Sequence, residues 1–356
     1  MAPRQRGVAL ITVLLIVAIA TTLCTAMLVM QQRAIARTMS LLDGQQSVQY
    51  DLAAESFAME VLAQDARNDA ASAMGNVDTP YEIWAQTWPP FPVDGGTVSA
   101  HIEDEQGRFN LNDIYSGGAV NQAALAVFQR LLTEERLDPN IASAVVDWLD
   151  SDNTPTGSGG AESDWYMRLD PPYRAANRNF AAVSELMLVR GVDANAYHLL
   201  EPLLCALPSG TPMNVNTLKP EVMAALFVGF SPVQAQGVMR SGAPQGFNNI
   251  DTFLSSPLLN GVSLNDKTAL QQGNLLSVNT QYFRVSVRAV IDGQVRAMRS
   301  LIRRQSSSDL QVLRREWVLP QADGMANQDA AGHNSGLSGG DLNHGGGISA
   351  SSFGGS

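Results

Sequence analysis

The sequence predicts an α+β protein with one long N-terminal helix and a sheet whose strands are separated by a large, all-α inserted domain. Three observations support this fold class. An apolar run continues into an amphipathic stretch, without a proline, from Val8 to about Asn68. Alternating apolar and polar residues predict strands early and late in the chain. The residues between these strands, 109–276, have helical patterns instead.

Composition excludes several classes of function. The 356 residues have a formal net charge of -11, which argues against a polyanionic partner such as nucleic acid. The two cysteines, Cys24 and Cys205, and the four scattered histidines offer neither a disulfide framework nor a cysteine or histidine zinc site.

The N-terminal apolar run is long enough to cross a membrane. No charged residue occurs from Val8 to Met30, and a helix rises about 1.5 Å per residue. Secretory signals have shorter apolar stretches of about 7–15 residues. Arg4 and Arg6 precede the run and place the N-terminus in the cytoplasm. These features alone predict a single-pass anchor.

The predicted helix continues beyond the apolar run. Between residues 31 and 68 the only glycine is Gly44, and apolar residues recur at helical spacing at Ile35, Met39, Leu42, Tyr50, Ala53, Phe57 and Val61. A short basic leader ending in glycine before such a helix resembles the N-terminus of type IV pilins and pseudopilins. That resemblance implies cleavage by a prepilin peptidase after Gly7 and N-methylation of Val8.

Thr12 departs from the family pattern, which has glutamate at this position. Intramembrane glutamate is costly unless it is paired, and the family glutamate is thought to pair with the N-terminal amine of the preceding subunit. In lacking this glutamate, the chain resembles the K-type minor pseudopilins of type II secretion, which lie at the filament tip. The alternative is that Thr12 is an ordinary membrane threonine bonded to its own helix.

Strand patterns bracket the insert. "TWPPFPV" ends helical structure, and "GTVSAHIEDEQG" predicts a first strand. Late in the chain, Phe283, Val285, Val287 and Ala289 alternate with polar residues, and Asp292-Gly293 predicts a hairpin turn before two further strands. The predicted organisation is a leader at 1–7, a transmembrane helix at 8–30, the pseudopilin helix and first strand at 31–108, the inserted helical domain at 109–276, C-terminal strands at 277–319 and a disordered Gly/Ser-rich tail at 320–356.

The insert contains an internal repeat. "FNLNDI" (109–114) matches "MNVNTL" (213–218), and "FAAVSELMLVRGV" (180–192) matches "FNNIDTFLSSPLL" (247–259). The two units resemble SAM-like or helix-hairpin-helix modules. Because the basic residues of DNA-binding modules are missing, a protein-binding or structural role is predicted.

An acidic loop lies in the first unit. Its carboxylates bracket "NTPTGSGG", and no lysine or arginine occurs between Asp138 and Met167. The loop is either a solvated acidic surface or a site for a hard cation such as calcium, which takes 6–8 oxygen ligands. The pseudopilin resemblance favours calcium and implies the ligands Asp150, Asp152, Glu162 and Asp164. Asp147, Asp170 and Asn177 are weaker candidates, as helix caps or a second site.

The resemblance covers the chain from Arg6 to Pro320 and implies the pseudopilin fold, in which the long helix packs on a small antiparallel sheet. It also implies a non-catalytic assembly subunit. Such a subunit is anchored in the bacterial inner membrane with its body in the periplasm. Its implied partners are the I- and J-type minor pseudopilins, the prepilin peptidase and the inner-membrane secretion platform. The alternative is a membrane-anchored periplasmic hydrolase or sensor that uses the acidic loop. The absence of a companion histidine, a Gly-x-Ser-x-Gly motif and a phosphate-binding loop argues against it.

Overall fold

The long N-terminal helix is confirmed. The computed structural model describes residues 5–72 and 75–320, with side chains from residue 10 onward. Helix α1 spans Gln5–Ala71 without a break. The leader residues 1–4, the side chain of Val8 and the predicted tail from residue 321 lie outside the described residues, and Gly7 is described only as part of the helix backbone.

Helix α1 has two halves with different surroundings. Every side chain from Leu10 to Leu42 is exposed, Thr12 among them. Burial begins at Ser47, and Ala54, Ala58 and Leu62 then enter the core beneath the sheet. The change from an all-round apolar surface to one buried face explains why the helical hydrophobic pattern becomes amphipathic in this half.

Five antiparallel strands form the sheet, and their spatial order follows the chain. They are β1 (Phe91–Val93), β2 (Gly96–Asp104), β3 (Tyr282–Ile291), β4 (Gln294–Ser306) and β5 (Asp309–Val318). The insert therefore enters between two neighbouring central strands, β2 and β3. Strand β1 was not predicted, because Pro92 within it and Pro89 and Pro90 just before it favour a break. Proline is tolerated in β1 only because β1 is an edge strand.

The predicted hairpin between β3 and β4 is confirmed. Phe283, Val285, Val287 and Ala289 are fully buried against α1. Asp292 and Gly293 have φ angles of 48° and 77°, the left-handed values that a two-residue type I′ turn requires.

The insert is mostly helical. Its helices are α2 (Gln122–Glu134), α3 (Ile141–Leu149), α4 (Ser163–Tyr166), α5 (Ala194–Leu200), α6 (Pro220–Ala225), α7 (Pro232–Gly242), α8 (Ile250–Leu254) and α9 (Leu264–Gln272). It also contains three pairs of two-residue strands, which helical periodicity does not predict.

Equivalent hydrogen bonds support the predicted repeat. In the first unit, the Asn112 side chain donates to the carbonyl of Phe180 (3.0 Å) and accepts from its N–H (2.8 Å). In the second unit, Asn216 makes the same two bonds with Phe247, at 3.1 and 2.7 Å. Each unit is also closed by a parallel strand pair, Phe109–Asn110 with Leu204–Cys205 and Met213–Asn214 with Leu276–Ser277.

A buried polar network joins the insert to the sheet. The Asp104 carboxylate, at the end of β2, accepts hydrogen bonds from the Asn214 amide (3.0 Å) and the Gln106 N–H (2.7 Å), and also from the hydroxyls of Thr217 and Thr280. Burial raises the pKa of Asp104 to about 6, although the two hydroxyls oppose that shift. Because its donors come from the insert and from the chain returning to β3, this carboxylate fixes the insert relative to the sheet.

Candidate metal centre

The acidic loop connects α3 to α4 on the first helical unit. The apolar residues Val145, Val146, Trp148 and Leu149 anchor α3 in the core. Asp150 ends the helix in an extended conformation (ψ 171°), and Glu162 begins α4 in the same way (ψ 177°). The two helix ends thus place carboxylates at both sides of the loop.

Three predicted ligands converge. One carboxylate oxygen from each of Asp150, Asp152 and Glu162 lies within 4.8 Å of the other two. Asp150 and Glu162 are buried, with 5% and 3% of their surface exposed, whereas Asp152 is exposed. The cluster therefore reaches solvent at Asp152.

The electrostatics of this cluster fit a cation. Asp150 Oδ1 and both Glu162 carboxylate oxygens are buried, and none of them has a hydrogen-bond partner in the described part of the chain. Burial, then the neighbouring carboxylates of Asp152 and Asp147, raise the pKa of Asp150 to about 6. Burial, then the carboxylates of Asp147, Asp150 and Asp152, raise the pKa of Glu162 to about 7. A hard divalent ion would supply the missing positive charge, and carboxylate oxygens are the ligands that calcium prefers.

Asp147 holds the loop in shape. It is fully buried, and its two oxygens accept from the Thr156 N–H at 2.9 and 3.1 Å. A side chain on Gly160 would collide with the Asp147 carboxylate and the Thr156 backbone. The loop glycine is thus needed for close packing on α3.

The remaining candidates differ in position. Asn177 (φ 46°) donates to the Asp152 carbonyl at 3.0 Å, and its buried side-chain oxygen has no hydrogen-bond partner among the described residues. Its amide oxygen is therefore available beside the cluster. Asp164 and Asp170 are exposed, and neither belongs to the converging group. Asp164 lies in the first turn of α4, two residues after Glu162.

Arg190 is a loop contact that sequence spacing does not reveal. Its guanidinium donates to the Gly160 carbonyl at 2.9 Å and lies 5.4 Å from the centre of the Trp165 ring. It therefore braces the loop backbone. Below the loop, Trp148 packs against Tyr166, with ring centres 5.4 Å apart. These contacts place the carboxylates on a rigid, apolar base.

A second acidic cluster lies where α1 ends. Asp65, Asp69 and Asp78 also bring carboxylate oxygens within 4.8 Å of one another. Here, however, Arg304 from β4 donates to Asp65 at 2.6 Å and to Asp78. This cluster is an ion-paired link between α1 and the sheet. Sequence reasoning missed it because Arg304 and its partners lie far apart in the chain.

Comparison with known proteins identifies the family. Residues 107–209 and 213–276 match two family models, both described as type II secretion system protein K. Type II secretion system protein K of Pseudomonas aeruginosa is 36% identical over 88% of this chain and 92% of its own length. The chain belongs to the type II secretion system protein K family.

Further relatives agree with this membership. The protein K sequences of Klebsiella pneumoniae and Pectobacterium carotovorum are 34% and 33% identical, over 90% and 89% of this chain and 99% and 98% of their own lengths. The fold is similar to a crystal structure of the GspK-GspI-GspJ complex from enterotoxigenic Escherichia coli. The TM-score is 0.71 at 28% identity, covering 80% of this chain and 99% of the matched chain.

Family membership confirms the predicted role of minor pseudopilin in type II secretion. Protein K is a structural subunit family and not an enzyme family. The alternative of a hydrolase or sensor is therefore not favoured. The two matched segments coincide with the two helical units of the insert, and α1 has the length and composition of a single membrane anchor.

Proposed function

We propose that this member of the protein K family initiates or caps the pseudopilus at its tip and thereby supports export of folded proteins from the periplasm across the outer membrane. The supporting observation is the combination of a pseudopilin helix and sheet with an insert placed between β2 and β3. Such bulk does not fit the close-packed shaft of a helical filament. Thr12, in place of the family glutamate, agrees with a subunit that follows no predecessor.

The protein is anchored in the bacterial inner membrane by α1, with its body in the periplasm. From Leu10 to Leu42 the helix exposes every side chain, and its most apolar window buries nothing within the protein. Leaving such a surface in water is costly, whereas a bilayer accommodates it.

The partners are the I- and J-type minor pseudopilins of the same secretion system. The matched E. coli structure is a complex with GspI and GspJ, and the similarity covers 80% of this chain. Before assembly the chain is a substrate of the prepilin peptidase, and during assembly it contacts the inner-membrane secretion platform.

The acidic loop binds calcium, with Asp150, Asp152 and Glu162 as ligands and Asn177 as a supplementary oxygen donor. Three buried carboxylate oxygens without partners support this assignment. The ion has a structural role, because it neutralises repulsion in a loop that connects two core helices. The loop does not act on a substrate.

N-terminal processing tests this function. The intact mass of the protein is measured after extraction from membranes of hosts with and without prepilin peptidase. We expect a chain that begins at N-methylated Val8 only when the peptidase is present. A chain that keeps Met1 or Ala2 in both hosts would contradict the pseudopilin assignment and leave α1 as an ordinary anchor.

A further inference from the structure

Two arginines follow the apolar run of α1 without charged partners. Arg33 and Arg37 are the only charged residues between Val8 and Leu42, and the first acidic residue is Asp43. Both side chains are exposed, and neither forms an ion pair or hydrogen bond with any residue that the structure describes. Arg4 and Arg6, before the apolar run, set the orientation of the helix in the membrane, but this does not explain the arginines that follow the run.

Helix geometry directs both side chains toward the membrane. Residues four apart lie on the same face, separated by about 6 Å along the axis. Arg33 comes three residues after Met30, so its Cα lies about 4.5 Å beyond the end of the apolar run. Because side chains on a helix lean toward its N-terminus, both guanidinium groups reach back to the level of lipid headgroups.

The same face carries a shallow groove that ends at Arg33. The groove is lined by Thr21, Thr22, Thr25, Ala26, Val29, Met30 and Arg33. The threonine hydroxyls donate to carbonyls of their own helix: Thr21 to Val17 (3.0 Å), Thr22 to Ile19 (2.8 Å) and Thr25 to Thr21 (2.8 Å). The floor of the groove therefore has no unsatisfied donor and can accommodate a hydrocarbon chain.

We propose that this face of α1 binds an anionic phospholipid of the leaflet nearest the protein body, with the phosphate on Arg33 and Arg37 and an acyl chain in the groove. The inference rests on the membrane anchoring proposed above. Charge complementarity favours a phospholipid, because guanidinium groups bind phosphate through paired hydrogen bonds. A second apolar helix in the groove would leave both arginines unpaired.

Lipid selectivity of the full chain tests the inference. The protein is reconstituted in phosphatidylcholine vesicles that contain phosphatidylglycerol. Electron paramagnetic resonance then measures the motionally restricted fraction of spin-labelled phosphatidylglycerol and of spin-labelled phosphatidylcholine. We expect the wild type to restrict phosphatidylglycerol preferentially, and the double variant Arg33→Gln/Arg37→Gln to lose about fivefold in relative affinity for each arginine. Arg240→Gln, an exposed arginine on α7, is the matched control and should keep the preference.

A groove variant tests the acyl-chain contact separately. Thr25→Leu fills the groove but keeps both arginines, so it should reduce the number of restricted lipids of either type. An inserted wild type with no preference for phosphatidylglycerol, or a preference unchanged in the double variant, would overturn the lipid inference alone. A wild type that alkaline carbonate extracts from the vesicles would overturn both this inference and the proposed anchoring.

Discussion

At the scale of single residues, Glu162 provides the sharpest test of the calcium loop. Calcium should raise the melting temperature of the full chain in detergent by about 5 °C at a concentration roughly 100 times its Kd. In Glu162→Gln this increase should be largely lost, because the variant removes one ligand. The melting temperature is measured by near-UV circular dichroism with calcium and with a chelator.

Asp164→Asn is the matched control for this experiment. Asp164 is an acid of the same loop region, but it is exposed and lies outside the converging group. It should keep the full calcium response. A wild type whose melting temperature ignores millimolar calcium would contradict the site, and an equal loss in both variants would contradict the ligand assignment.

The buried carboxylate of Asp51 should make the protein less stable at neutral pH than at acidic pH. This α1 residue is fully buried, and its two carboxylate oxygens have no hydrogen-bond partner in the described structure. Burial raises its pKa to about 6, against the opposing attraction of Arg296. A raised pKa means that the folded state binds the proton more tightly than the unfolded state. Protonation of Asp51 therefore stabilises the folded state at low pH, and this contribution is lost as pH rises through about 6.

Asp51→Asn should therefore match the wild type near pH 4 and exceed its unfolding free energy by about 1–2 kcal/mol at pH 8. Chemical denaturation at the two pH values measures the difference. Glu60→Gln, which removes an exposed ion pair with Arg67, is the control and should change stability little at either pH. A variant less stable than the wild type at pH 8 would refute this account of Asp51.

At the scale of structural elements, two equivalent asparagines stabilise the helical units, one asparagine within each unit. Asn112→Ala and Asn216→Ala each leave a buried backbone N–H and carbonyl without partners, at Phe180 and Phe247 respectively. Each variant should lose about 2 kcal/mol of unfolding free energy. Urea denaturation measures the loss, and the exposed Asn260→Ala is the control. Unequal losses, with one variant neutral, would show that the two units are not equivalent.

The same elements show how far sequence reasoning extends. Alternation in "YFRVSVRAV" predicts β3 because one face of that strand is buried on α1. The repeat was visible because each unit needs an asparagine that binds the backbone of a phenylalanine further along the chain. Strand β1 was missed, since Pro92 is acceptable only at a sheet edge that the sequence does not reveal.

The candidate site was predictable in part for a related reason. Asp150, Asp152 and Glu162 lie close in sequence, so one loop brings them together. Asp164 follows Glu162 by only two residues yet lies outside the group, and sequence spacing alone does not distinguish these two acids. Arg190 and Arg304 reach their acidic or carbonyl partners through tertiary packing, and no local pattern marks such long-range contacts.

At the scale of the whole molecule, two buried polar links make the body a single unit. Arg304 joins the end of α1 to β4, and Asp104 joins β2 to the insert. The insert is thus held at a fixed place beside the sheet, while residues 10–42 of α1 all remain exposed. Such a shape suits a subunit that contributes its helix to a filament and keeps a bulky domain at the end.

Assembly with the other minor pseudopilins tests the central claim most directly. The full chain is co-expressed with the I- and J-type pseudopilins of its own secretion system and purified through a tag on this chain alone. We expect one complex that contains all three proteins and elutes as a single species in size-exclusion chromatography. If this chain elutes alone while the I- and J-type proteins still pair with each other, its role as the tip subunit is contradicted.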